Sequence, residues 1–222
     1  MWNERNQLHS ISGGVTASFQ YDALGRRIGK TIGATSTGFL YDGANFVQEL
    51  SGTGTGATVT ANLITGLGLD QLLVRENSAG VETALRDALG SIIMTTNASQ
   101  AMVASYTYDV YGNTTQTGTD TNSQQYTGRE NDGTGLYYYR ARYYSSKEQR
   151  FISQDSLGWA AGQSNGYSYV GRDPVSNTDP NGLQTYSCTR LLKNLGGFEW
   201  DYSHIYLCSG QSTTKCRSVW DY

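Results

Sequence analysis

The chain has 222 residues, with 27 Gly, 17 Tyr and only 2 Pro, a mixture that disfavours long helices and suits short strands joined by tight turns. Charge is sparse and nearly balanced, 16 Lys+Arg against 19 Asp+Glu for a net of −3, so nothing electrostatic points to nucleic acid or an anionic membrane as partner. All 3 Cys lie near the C-terminus, with 2 His and no CxxC pair; that excludes a disulfide framework for the whole chain, and neither a metal site nor a cofactor is expected.

In chain order, the N-terminal Met-Trp-Asn-Glu-Arg-Asn lacks an apolar signal-peptide core. No stretch approaches the roughly 18 to 20 apolar residues that span a bilayer. A repeated unit comes next, in Phe19-Gln20-Tyr21-Asp22-Ala23-Leu24-Gly25-Arg26-Arg27. It recurs in Arg86-Asp87-Ala88-Leu89-Gly90-Ser91-Ile92 and in Tyr106-Thr107-Tyr108-Asp109-Val110-Tyr111-Gly112-Asn113, with a degenerate copy at Phe39-Leu40-Tyr41-Asp42-Gly43. Alternating aromatics predict an incoming strand, Asp opens a turn by accepting a backbone N–H, and Gly closes it where φ is positive. One such hairpin cannot bury its apolar face alone, so the hairpins must join into a continuous sheet. The fold class is all-β, with residues 1–125 forming repeat hairpins in a curved or spiralling sheet.

The segments Ser51 to Thr60 and Asn113 to Ser123 read as Gly/Thr-rich loops. Leu136 to Tyr144 (LYYYRARYY) reads as one dense aromatic strand. Its alternation places Tyr137, Tyr139, Ala141 and Tyr143 on one side and Tyr138, Arg140, Arg142 and Tyr144 on the other. The clearest break in composition follows Asp179-Pro180-Asn181-Gly182-Leu183. Beyond it, Leu191 to Gly197 predicts a short helix and Tyr202 to Cys208 a strand. Cys208 and Cys216 are compatible with a bridged or a reduced pair.

Several strings together resemble a known family. The Tyr-Asp-x-x-Gly units look like YD repeats. Tyr126-Thr127-Gly128-Arg129-Glu130, Thr134-Gly135-Leu136 with the aromatic run, Arg150-Phe151-Ile152-Ser153-Gln154-Asp155, Tyr167-Ser168-Tyr169-Val170 and the Asp179 to Leu183 motif are similar to the RHS repeat-associated core region of Rhs proteins. That region, assigned here to 126–183, is shared with the C components of insecticidal Tc toxins. The resemblance implies a hollow β-shell that encloses a C-terminal polypeptide, usually a toxin, with an aspartic-protease-like site that cuts after the last motif. Residues 184–222 take the place of the variable tail, either a truncated toxin or a small toxin in its own right.

Carried over position by position, Asp155 and Asp179 form the catalytic carboxyl pair, one as base and one as acid, because two close carboxyls split their titration. Arg150 orients Asp155, and the scissile bond joins Leu183 to Gln184. The bare residues support a plainer reading as well, since Asp-x-x-Gly and Asp-Pro-Asn-Gly are good turns with no catalysis required. Asp173-Pro174 is expected only to turn the chain. In the tail, Cys208 and His204 raise a nucleophile hypothesis, against packed or bridged cysteine. The implied partners are the chain's own tail, the rest of a shell, a secretion-system spike or adaptor such as that of type VI secretion, and an immunity protein, without nucleic acid or membrane. The implied setting is contact-dependent interbacterial competition, with the protein cytoplasmic before delivery and then secreted or cell-surface by a route without a signal peptide. The alternatives are a non-catalytic structural or adhesive YD-repeat surface protein, and a small toxin tail on a repeat scaffold.

Overall fold

A computed structural model of the chain describes residues 1–161, 164–183 and 185–187. The helix expected over Leu191 to Gly197, the strand at Tyr202 to Cys208 and every expectation about His204, Cys208 and Cys216 lie outside the described residues. The first strands in chain order are β1 (Ser10–Ile11), β2 (Ala17–Tyr21), β3 (Arg27–Ile32), β4 (Thr35–Asp42), β5 (Asn45–Ser51) and β6 (Thr58–Thr65). They continue as β7 (Leu72–Asn77), β8 (Gly80–Arg86), β9 (Ile92–Asn97), β10 (Met102–Tyr108) and β11 (Thr114–Gly118). These 11 strands make one open antiparallel sheet in which each pairs with its neighbours in sequence. A second sheet holds β12 (Glu130–Asn131), β13 (Tyr137–Tyr139), β14 (Arg142–Ser145) and β15 (Arg150–Phe151), and a third holds β16 (Asn177–Thr178) and β17 (Tyr186–Ser187). The fold is all-β, and no described helix is long and apolar enough to cross a membrane.

The repeat units form hairpin turns of one kind. The Asp22 carboxylate accepts the N–H groups of Leu24 and Arg26, both at 2.9 Å. Asp87 does the same for Leu89 and Ser91, and Asp109 for Tyr111 and Asn113. Gly25, Gly90 and Gly112 close these turns at φ of +83, +85 and +86°, the left-handed region that side chains rarely adopt. Residues 113–123 depart from the expected loop: Thr114–Gly118 is a strand paired with β10, because a hairpin turn aims the chain back along its partner and β-branched Thr fits a ladder.

The aromatic run Leu136 to Tyr144 is a hairpin and not the single strand its pattern suggests. Tyr137 pairs with Tyr144, Tyr138 with Tyr143 and Tyr139 with Arg142, and Arg140 turns the chain at φ +61°. Tyr138 and Tyr143 therefore share one face, where they pack with Leu8, Ala17 and Phe19. Tyr137, Tyr139 and Tyr144 join Tyr126, Phe151 and Tyr169 on the other. Burial pushes the hydroxyls of Tyr21 and Tyr137 up to about 12, so these phenols stay neutral.

Phe19 of β2 packs on Tyr143 at 5.0 Å between ring centres, and Tyr108 of β10 packs on Tyr126 at 5.7 Å. A flat sheet would hold those two strands about 38 Å apart, so the sheet curves around residues 126–183. Electrostatics fixes the docking. Arg27, fully buried on β3, meets Asp132 at 2.5 Å and Glu130 at 2.6 Å and lies over the Tyr138 ring at 4.1 Å. Burial outweighs the cations and pushes the Glu130 carboxyl up; for Asp132 burial acts the same way, but Arg27 and Lys30 overcome it and hold that carboxyl low.

Candidate functional site

The hairpin of β13 and β14 places Arg142 at its centre. Only about 4% of Arg142 is exposed, so each of its donors needs a protein acceptor. Nη2 meets the Asp155 carboxylate at 2.9 Å and the Asp179 carboxylate at 3.4 Å. Nη1 donates to the Gly166 carbonyl at 3.0 Å and Nε to the Gly182 carbonyl. The guanidinium lies over the Phe151 ring at 3.6 Å. Burial pushes the Arg142 guanidinium below the usual arginine range, and Asp155 and Asp179 oppose that shift.

Asp155 and Asp179, 24 positions apart in sequence, thus converge on one nitrogen, and both are buried. Their facing oxygens lie no farther apart than the two distances to that nitrogen combined. Asp155 follows β15 and sits in the repeat-type turn: Oδ1 accepts the Leu157 N–H at 2.8 Å, and Gly158 closes the turn at φ +54°. The turn forms with Ser156 where the second motif carries Pro180. Asp179 follows β16; its Oδ1 accepts the Leu183 N–H at 3.0 Å, and Gly182 takes φ +68°. A Cβ on Gly182 would overlap the Tyr139 carbonyl oxygen and lie 3.2 Å from the Arg142 backbone nitrogen, so only glycine seats this turn against the hairpin. The peptide unit between Gly182 and Leu183 is gripped at both ends, its carbonyl by Arg142 and its N–H by Asp179.

Arg150 stands elsewhere. It is exposed on β15, pairs with Ser145 across the sheet and bridges to Ser168. The guanidinium against Asp155 belongs to Arg142, which nearness in sequence concealed. Asp173 is exposed and caps a turn by accepting the Ser176 N–H at 3.2 Å. Leu183 is partly buried, and Gln184 lies outside the described residues. On either side of that bond, Asn177 pairs with Ser187 and Thr178 with Tyr186, so Leu183 lies between the two strands of a small hairpin. Among the described residues no cluster of His, Cys, Asp and Glu is arranged to hold a metal ion.

A curved antiparallel meander wrapped on a tyrosine-rich region, with one buried aspartate in the chain's last motif and a second meeting the same arginine, defines a β-shell segment. No family model matches the chain. It is 34% identical over 193 residues to the tRNA3(Ser)-specific nuclease WapA of Bacillus spizizenii, a match covering 83% of this chain and 8% of that protein. It is 26% identical over 216 residues to a probable deoxyribonuclease, RhsB, of Dickeya dadantii, covering 92% of this chain and 15% of that protein. The fold matches a chain in the crystal structure of TcdB2-TccC3-Cdc42 with a TM-score of 0.66 and 23% identity, over 82% of this chain and 10% of that one. The chain belongs to the Rhs/YD-repeat family. It spans a small fraction of the length of these relatives.

Proposed function

We propose that this chain is the closing segment of a toxin-carrying Rhs shell and that it cuts its own backbone after Leu183, separating the tail 184–222 from the shell. The observation that carries the reading is the meeting of Asp155 and Asp179 on Arg142 beside the gripped Gly182–Leu183 peptide. Arg142 and the two buried carboxyls are neutral as a group when Arg142 is cationic, one carboxyl is ionised and the other keeps its proton, which is the state amide hydrolysis needs. The ionised carboxylate takes a proton from water, whose oxygen bonds to the Leu183 carbonyl carbon. The protonated carboxyl polarises that carbonyl, and the C–N bond breaks with the proton passing to the Gln184 nitrogen. The products are a Leu183 carboxylate and a new amino terminus on the tail. Arg142 is a positioning residue here, holding both carboxylates and the neighbouring carbonyl. The short pairing of β16 with β17 would keep the tail in place after the cut, consistent with a shell that retains its cargo until delivery. Contact-dependent antagonism, a type VI or other secretion-system partner and an immunity protein follow from the same reading.

Asp155→Asn and Asp179→Asn test it: each should leave the chain at full mass while the parent is found as two pieces. A second, purely structural reading is favoured by one observation, that Asp155 caps its turn as Asp22, Asp87 and Asp109 do. A folded parent chain that stays whole would establish it.

A further inference from the structure

Arg129, in the Tyr126 to Glu130 string, has no part in the carboxyl pair, yet it is almost wholly buried and touches the cleavage motif. Its Nη1 donates to the Pro180 carbonyl at 2.7 Å and meets the Asp70 carboxylate at 2.5 Å. Nε donates to Thr127 at 3.2 Å and Nη2 to the Leu69 carbonyl at 3.5 Å. Asp70 belongs to the other part of the molecule, in the loop between β6 and β7. Its second oxygen meets Arg140 at 2.5 Å, and Arg140 also donates to the Ala44 carbonyl at 2.6 Å, in the turn between β4 and β5. Arg140 turns the β13–β14 hairpin, and the next residue, Ala141, donates its N–H to the Asn181 carbonyl at 3.2 Å.

One carboxylate from the large sheet therefore anchors both supports of the motif: Arg129 under Pro180, and the Arg140–Ala141 turn under Asn181. Asp70 is itself fixed, at φ +50° with its N–H donating to Asn45 at 2.7 Å. Without Asp70, Arg129 would keep a buried charge without its carboxylate, a state strongly disfavoured in a dry interior, the partly buried Arg140 would lose its carboxylate as well, and the motif's two carbonyl contacts would loosen.

We propose that Asp70 and Arg129 are positioning residues for the cut after Leu183, which makes cleavage conditional on the large sheet having closed on residues 126–183. This rests on the self-cleavage reading above. Cleavage would then follow assembly and not precede it, since the motif is aimed only when the loop at Asp70 is in place.

The test is the first-order rate of self-cleavage of the full chain after refolding, followed by intact mass, with melting temperature recorded for each variant. Asn tolerates a left-handed φ, so Asp70→Asn removes the charge with little backbone strain. It should slow cleavage by roughly ten- to a hundredfold, the scale of a small misplacement of reacting groups. Arg129→Met should do the same, and Arg129→Lys should recover part of the rate by restoring a cation that reaches both Asp70 and Pro180. Glu49→Gln, which removes the buried Arg75–Glu49 contact at 2.6 Å between β5 and β7 of the large sheet, should cleave at the parent rate. Folded Asp70→Asn cleaving like the parent would overturn the inference, as would Glu49→Gln slowing cleavage equally at an equal loss of melting temperature. If Asp70→Asn does not fold, equal rates for Arg129→Lys and Arg129→Met below the parent would overturn it. A folded parent that never cleaves sinks the underlying reading instead and takes this inference with it.

Discussion

Gly182→Ala probes the seat of the last motif, and its effect can be worked from the geometry. At φ +68° any side chain meets a left-handed penalty of about 1 to 2 kcal/mol. The added Cβ also overlaps the Tyr139 carbonyl oxygen, a backbone atom of a buried hairpin that cannot swing aside. The motif must lift, losing the Arg142 hydrogen bond to the Gly182 carbonyl, about 1.5 to 3 kcal/mol for a charged donor, and the Ala141 bond to Asn181, about 1 kcal/mol. The total is about 3.5 to 6 kcal/mol against the seated form. Gly133→Ala is the control: φ there is +67° and nothing lies within 4 Å of the added carbon, so only the left-handed penalty applies. Urea denaturation followed by near-ultraviolet tyrosine dichroism measures both, and hydrogen exchange at residues 179–183 reports whether the motif has lifted. Equal losses for the two alanines, with exchange unchanged at the motif, would refute the seating argument.

Two further outcomes follow from the buried charges. Arg27→Met should lower stability by about 3 to 5 kcal/mol, because Glu130 and Asp132 would face each other with Lys30 alone; adding Glu130→Gln and Asp132→Asn should recover most of it, read from urea midpoints. Burial first, and then Asp120, push the Glu82 carboxyl above the usual glutamate range. Its contribution is fully present below that usual range and is lost as pH rises through the raised folded value. Glu82→Gln, which mimics the protonated form, should match the parent near pH 4 and exceed it in melting temperature at neutral pH; a variant less stable than the parent at neutral pH would contradict this.

Much of the fold was legible because its turns are written locally. Asp22, Asp87 and Asp109 cap their own turns, and the glycine three positions later takes the conformation that spacing anticipates. The hairpin at Tyr137 to Tyr144 was not legible, since no Gly, Pro, Asn or Asp marks its turn. Arg140 is held left-handed by Asp70 and the Ala44 carbonyl, contacts that exist only in the assembled molecule. That misreading hid Arg142. The run shows two arginines among tyrosines, but only cross-strand pairing reveals which one faces Asp155 and Asp179. Arg150 lay nearer to Asp155 in sequence and points elsewhere. The carboxyl pair itself came from resemblance, because Asp-x-x-Gly is equally the pattern of a plain turn.

Everything about release turns on whether one peptide bond opens. The intact mass of the freshly folded 222-residue chain decides it. Two species ending at Leu183 and beginning at Gln184, whose masses exceed the parent's by one water when combined, are what the geometry around Arg142 predicts. A single undivided mass from protein with its tyrosine core intact would contradict it.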